Sequence, residues 1–197
     1  MADRYPEIFV LRHGQTEWNR IARFQGRKDS ALTSKGREQA RVQGGLLTEV
    51  IAGRSGIAAY CSPQGRAAKT AAIVLEPLGM TAIEDVRLCE ISFGKWEGLS
   101  FEQIAKGWPD QTKDADKDAF EWQFHAPGGE SFEAIRLRIE EFLAHLSAPS
   151  IIITHGITSR ILRGIWLGDE SNDLGAVMGG QGCVYHMQDG QQIKLGD

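Results

Sequence analysis

Two short apolar runs that each stop at His-Gly restrict this chain more than any other feature. The first is Ile8 to Leu11 within EIFVLRHGQTEWN; the second is the isoleucine run of SIIITHG, Ser150 to Gly156. A run of this length, rich in β-branched and aromatic residues and ending in a Gly-containing polar loop, reads as a buried parallel strand rather than a helix. In open α/β sheets the helices cover the sheet faces, and ligands bind beyond the carboxyl ends of the strands. His13 and His155 are therefore expected at one rim of one sheet. The glycine after each histidine leaves room for a ligand to approach the backbone, although a turn that needs glycine would look the same.

The rest of the chain supplies layers for such a sheet. Ile21 to Ala31 reads as an exposed basic loop near the site mouth, with Arg23, Arg27 and Lys28 around Gln25 and Gly26. Thr33 or Ser34 can cap a helix running toward Ile51, weakened by Gly44 and Gly45. Ile57 to Cys61 reads as a second strand. Ser62 and Pro63 follow as N-cap and first residue of a helix reaching about Leu78, which puts Arg66 in its first turn. Thr81 to Val86 reads as a third strand, and Leu88 to Leu99 as mostly loop with Glu90 near its start. Ser100 with Gln103 resembles a capping box. Residues 108–130 suggest a short helix and a mobile cover, with Trp122 a candidate substrate contact. Ser131 caps an amphipathic helix with an apolar stripe of Phe132, Ile135, Ile139, Phe142, Leu143 and Leu146. ITSRILRGIWLG reads as a further helix, and GCVYHMQ with QQIKL as a hairpin around Asp189-Gly190.

With 197 residues and 42% hydrophobic content the chain can bury one substantial core. One domain, residues 1–197, is expected, with residues 91–130 as a lid segment. No apolar run approaches the roughly 20 residues of a membrane span, and MADRYPEIFV lacks the basic-then-apolar pattern of a secretory signal. A cytoplasmic protein without membrane contact, monomeric or homodimeric, is the expectation. Cys61, Cys89 and Cys183 lack metal-type spacing and read as small buried residues. The net charge of −4 argues against a nucleic-acid partner. Any positive charge that matters is local.

Two histidines, Arg12, Arg66 and a carboxylate at one rim could hold zinc through His, His and Glu. The arginines would then face a divalent cation with nothing to offset their charge. An anion resolves the conflict, because a planar guanidinium matches phosphate oxygens in pairs. A histidine there can act as a nucleophile, forming a phosphohistidine that divides one displacement into two. The leaving alkoxide then needs a proton. Glu90 is the natural donor, since burial and a neighbouring phosphate dianion both favour the protonated carboxyl. Spacing alone leaves Glu17, Glu97 and Glu130 open for that role. His125 and His186 read as structural.

RHGQTEWN resembles the signature of the histidine phosphatase superfamily, in the branch that holds cofactor-dependent phosphoglycerate mutases, fructose-2,6-bisphosphatases and small phosphomonoesterases. LTSKGREQA, CSPQGRAAKTA, LCEISFGKWEGLS, PGGESFEAIRLRI and IIITHG each match a block of that family, in the family's order. The resemblance implies a three-layer α/β/α sandwich around a mostly parallel sheet of about six strands with an antiparallel terminal strand. It makes His13 the phosphorylated nucleophile, Arg12, Arg66 and His155 phosphate ligands, and Glu90 the acid and base. Thr16, Asn19, Gln25, Gly26 and Gly156 become secondary contacts, and neither metal nor cofactor is implied. Cys61 departs from the serine more usual in the family.

The implied activity is hydrolysis of a small phosphorylated metabolite. A mutase of the same branch is the alternative; family mutases carry an extra segment between the glutamate block and the second histidine, and this chain is short there. A silent phosphate-binding module would be expected to lack the nucleophile or the acid, and both are present.

Overall fold

The computed structural model describes residues 5–113, 115, 120–169 and 179–196. Among these, six strands form one sheet: β1 (Ile8–Arg12), β2 (Ala58–Cys61), β3 (Ile83–Glu84), β4 (Ser150–Thr154), β5 (Val184–Gln188) and β6 (Gln191–Leu195). Their order is β3-β2-β4-β1-β5-β6. The first four in that order run parallel, β5 pairs antiparallel with β1, and β6 antiparallel with β5. The described helices are α1 (Glu17–Arg20), α2 (Ser34–Val50), α3 (Gly65–Leu75), α4 (Phe101–Gly107), α5 (Pro109–Thr112), α6 (Phe132–His145) and α7 (Gly156–Leu167).

Strand alternation sorts the core into two halves. Ile8, Val10 and Ile152 pack with Ile135 and Ile139 of α6 and Ile161 and Leu162 of α7. Phe9, Leu11, Ile151 and Ile153 face the other way, onto Ala40 and Leu47 of α2 and Ala71 and Val74 of α3. The central strands are thus covered on both faces, which is why they read as unbroken apolar runs. Ile151, Ile152 and Ile153 are fully buried, each worth about 1.5–3 kcal/mol of transfer free energy. The expected three-layer architecture is the one observed; where one antiparallel terminal strand was expected, β5 and β6 each pair antiparallel with a neighbour. Asp189 and Gly190, with φ of 52° and 72°, close the β5-β6 hairpin in the left-handed region that a tight primed turn requires.

Three boundaries differ from the sequence reading. Ser62 is not the N-cap of α3: Gln64 holds that position and the helix starts at Gly65. The Ser62 hydroxyl is instead engaged with His155 Nε2 at 2.8 Å. The α-helix stops at Leu75, and Glu76–Leu78 continue as a 3-10 turn, because Pro77 has no N–H for the next helical bond. The strand expected over Thr81 to Val86 shrinks to Ile83–Glu84, both exposed at the sheet edge. The Asp85 carboxylate then accepts from the Arg87 N–H and turns the chain into a 3-10 segment.

In the expected cover, Pro109–Thr112 is helical and Glu121–His125 forms a 3-10 turn. Residues 114 and 116–119 lie outside the described residues. No described helix is long and apolar enough to cross a membrane. All three cysteines are free and buried.

Candidate active site

β1 and β4 pair in parallel from Ile8↔Ser150 to Arg12↔Thr154. One residue further, the His13 N–H donates to the Thr154 carbonyl at 2.9 Å. That register places the two His-Gly ends side by side, with ring centroids 5.2 Å apart. His13 is 2% exposed and His155 is fully buried. Each glycine is required by a protein contact of its own. A Cβ on Gly14 would lie 2.1 Å from the Gly36 carbonyl oxygen, and one on Gly156 would lie 3.2 Å from the guanidinium carbon of Arg12. The first permits a close backbone crossing and the second seats an arginine.

His13 Nδ1 lies 2.8 Å from the Gly14 carbonyl, which can only accept, so Nδ1 carries the proton. In the neutral ring Nε2 is then a bare lone pair, and Arg66 Nε donates to it at 3.3 Å. Burial, with Arg66 and Arg12 alongside, holds the His13 pKa well below the usual histidine value. Burial does the same to His155, with help from Arg66, His13 and Arg12. Both rings are neutral at neutral pH.

Arg66 is 1% exposed. Its Nη1 donates to the Lys28 carbonyl at 2.7 Å and to Asp29 Oδ1 at 3.1 Å, and its Nη2 to the Gly26 carbonyl at 2.9 Å. Arg12 is half-buried, and its Nε is a buried donor with no partner among the described residues; His155 Nδ1 is likewise unpartnered. Unsatisfied polar atoms at such depth are uncommon and cluster at functional sites. Burial weakens both arginines as cations, and the nearby Glu90 carboxylate opposes that effect.

Glu90 sits at the N-terminus of α7. Its Oε2 accepts from the Ile157 N–H at 3.2 Å, and its Oε1 from Thr158 N–H at 3.1 Å and Ile91 N–H at 3.1 Å. The Thr158 hydroxyl lies 3.0 Å from Oε1 and 2.9 Å from the Cys89 carbonyl.

A cleft of about 440 Å³ brings together Arg12, His13, Arg66, Glu90 and Gly156, with Asn19, Gln25 and Gly26 also on its wall. Thr16 does not line it. Thr16 is fully buried and forms a capping box with Asn19, in which Thr16 N–H donates to Asn19 Oδ1 at 3.1 Å. Gln181 Nε2 donates to the same oxygen at 3.2 Å, so the Asn19 amide is oriented with its NH₂ the other way. Trp122 does not line the cleft either; it is 7% exposed and stands behind Phe24 and Phe101.

Sequence reading missed Gln64. Its Nε2 donates to the Gly26 carbonyl at 2.8 Å and its Oε1 accepts from the Glu90 N–H at 2.7 Å. One amide therefore ties the loop that holds Arg66 to the loop that carries Glu90. Gln64→Leu keeps the size and removes both bonds, each worth about 1 kcal/mol. A fall in kcat of about 10-fold is expected, measured well below Tm so that folded fraction plays no part. Unchanged kcat would show that the bridge does not position the site.

The two neutral histidines also set a pH dependence. Their folded pKa values lie below the unfolded value near 6.5, so the unfolded chain binds more protons as pH falls through that value. The stability they contribute is complete above about pH 6.5 and is lost on acidification, at about 1.4 kcal/mol per pH unit for each. Tm is expected to drop between pH 7 and pH 5, and to drop less in saturating inorganic phosphate, whose charge offsets the imidazoliums. A flat Tm over that range would contradict neutral burial.

Known proteins resemble this chain over most of its length. The chain is 25% identical to Phosphoserine phosphatase 1 of Hydrogenobacter thermophilus over 96% of its length and 90% of the relative's. It is 33% identical to "Probable phosphoglycerate mutase GpmB" of Erwinia tasmaniensis over 84% of the chain and 77% of that protein. The crystal structure of the alpha-ribazole phosphatase from Shigella flexneri superposes with a TM-score of 0.80 at 26% identity, covering 96% of this chain and 93% of that one. The family model described as histidine phosphatase superfamily, branch 1, matches residues 8–192, and the chain belongs to that family.

Proposed function

We propose that this protein hydrolyses small phosphomonoesters through a phosphorylated His13. The observation that carries the reading is the His13 tautomer: Nδ1–H is tied to a carbonyl, and the Nε2 lone pair faces a buried, cationic cleft. A phosphoryl group approaching Nε2 exchanges the Arg66 Nε bond for one to its own oxygen, and Arg12 faces it from the Gly156 side. Nε2 attacks phosphorus, the bond to the leaving oxygen breaks with its electron pair, and that oxygen takes a proton from Glu90. Water then attacks the phosphohistidine, gives a proton to Glu90, and the P–N pair returns to Nε2. The balance is one phosphomonoester and one water to one alcohol and one phosphate.

Glu90 has to carry a proton in the first step, and Thr158 suits both of its charge states. While the hydroxyl donates to the carboxylate, Glu90 is an anion; turned toward the Cys89 carbonyl, the same oxygen can accept a proton held on Oε1. A dianionic phosphoryl group beside Glu90 favours the second arrangement. Residues 91–130 act as a cover in this reading, since Phe93, Phe101, Phe120 and Gln123 line the cleft. The free, buried cysteines suit a reducing compartment and support a cytoplasmic location.

The relatives named as phosphatases support hydrolysis, and those named as probable phosphoglycerate mutases support phosphoryl transfer as the second reading. Phosphate release from a panel of phosphomonoesters, without a bisphosphoglycerate primer, tests the choice. Primer-dependent interconversion of 2- and 3-phosphoglycerate far faster than phosphate release would establish the mutase. Arginines supply the charge that a metallophosphatase takes from cations, so activity is expected to survive exhaustive EDTA and to be inhibited by vanadate. Loss on chelation, restored by a divalent ion, would overturn the arginine-based mechanism.

A further inference from the structure

We propose that the leaving-group side of the cleft selects phosphomonoesters whose alcohol carries an aromatic ring that is neutral or anionic, a substrate class that rests on the hydrolase reading. Away from the histidines the described wall is aromatic, formed by Phe24, Phe93, Phe101 and Phe120. The first three of these rings are held by further aromatic contacts. Phe24 meets Phe93 at 5.2 Å and Trp122 at 5.6 Å, and Phe101 meets Trp122 at 5.4 Å, all near edge to face. Trp122 in turn leans on the fully buried Trp96 at 5.4 Å. Phe101, at the start of α4, is 39% exposed. Rings fixed this way lose little entropy when another ring covers them, and edge-to-face or offset contact adds to the area buried.

Size and charge narrow the class further. A volume of about 440 Å³ lies within the range of clefts that bury drug-sized ligands, and an alcohol of two or three carbons would leave most of it to water. The charged side chains beyond the phosphoryl end are cations. Arg23 donates to the Gly98 carbonyl at the wall, and the Arg160 guanidinium stacks on Phe120 at 4.0 Å. Among the described lining residues Glu90 is the one carboxylate, and its oxygens are held by the N–H groups of Ile157, Thr158 and Ile91. An ammonium on the leaving group meets two like charges there.

Three ethyl phosphates that differ only at the second carbon separate these effects: ethyl phosphate, 2-phenylethyl phosphate and O-phosphoethanolamine. The phenyl compound is expected to exceed ethyl phosphate in kcat/KM by about 10- to 100-fold, the scale of burying one such ring, and the ammonium compound to fall below it. Phe101→Ala should reduce the phenyl-to-ethyl ratio several-fold, with Phe101→Leu keeping more of it. Calorimetry with 2-phenylethylphosphonate, ethylphosphonate and 2-aminoethylphosphonate should give the same order of affinity, whether or not the protein turns over. Equal values within each series, or preference for the ammonium compounds, would overturn the proposal. Failure of every ester to release phosphate, with the phosphonate order intact, would instead strike the hydrolase reading alone.

Discussion

His13→Ala is expected to lower phosphate release by about 10⁴- to 10⁶-fold, the scale of removing a covalent nucleophile. The size follows from what is left behind. Arg12, Arg66 and His155 would still bind the phosphoryl group, but water would have to attack it with no nitrogen in line and no intermediate to divide the barrier. Quenching the wild type at alkaline pH with labelled substrate should trap an acid-labile phosphoryl group, and peptide mapping should place it on His13. Trapping on His155 would reverse the assignment of the two rings. The variant also leaves the Gly14 carbonyl without the imidazole bond, a cost of about 1 kcal/mol that a Tm measurement separates from the catalytic loss.

The elements that carry this site were legible to different degrees, and the reason lies in how local each determinant is. The β1 and β4 runs announce themselves because burial on both faces demands continuous apolar side chains, and each runs directly into its histidine. Apart from the family resemblance, which made it a phosphate ligand, Arg66 was not legible beyond its place in a first helical turn. What buries it is a set of carbonyls at Gly26 and Lys28 and the carboxylate of Asp29, and only the tertiary fold brings these to the helix. Choosing among the carboxylates is a tertiary matter too. Glu17 pairs with Arg20 in solvent, Glu130 pairs with Arg27 and Arg138, and Glu97 accepts from the backbone N–H groups of Arg27 and Phe93. Glu90 alone of the four lines the cleft. Thr16 looked like a contact and is a helix cap, because a threonine before a polar first turn serves either purpose. Gln64 gave no signal, since both its partners are distant in sequence. The Gly after each histidine was visible, but its purpose was not; a carbonyl crossing at Gly14 and a guanidinium seated on Gly156 are contacts made by other segments.

Glu90→Gln is expected to slow substrates with poor leaving groups by about 10²- to 10⁴-fold, the usual scale for a lost general acid. An alkoxide cannot depart unprotonated, whereas the aryl oxide of p-nitrophenyl phosphate needs little help, so its phosphorylation step should be slowed much less. Dephosphorylation is another matter, because the same carboxylate draws the proton from the attacking water. With p-nitrophenyl phosphate the variant should therefore show a burst of one aryl oxide per site followed by slow turnover, and phosphohistidine should accumulate. The substitution has a structural cost of its own. Glutamine offers one acceptor where Glu90 offers two, so an NH₂ replaces either the oxygen facing the Ile157 N–H or the oxygen facing the Ile91 and Thr158 N–H groups. Two donors left facing each other cost about 1–3 kcal/mol. That loss appears in Tm and is the same for every substrate, so the ratio of rates between alkyl and aryl phosphates isolates the chemistry. Equal slowing of phosphorylation for both classes would remove Glu90 from the acid role, and a variant that turns over p-nitrophenyl phosphate without a burst would remove it from the base role.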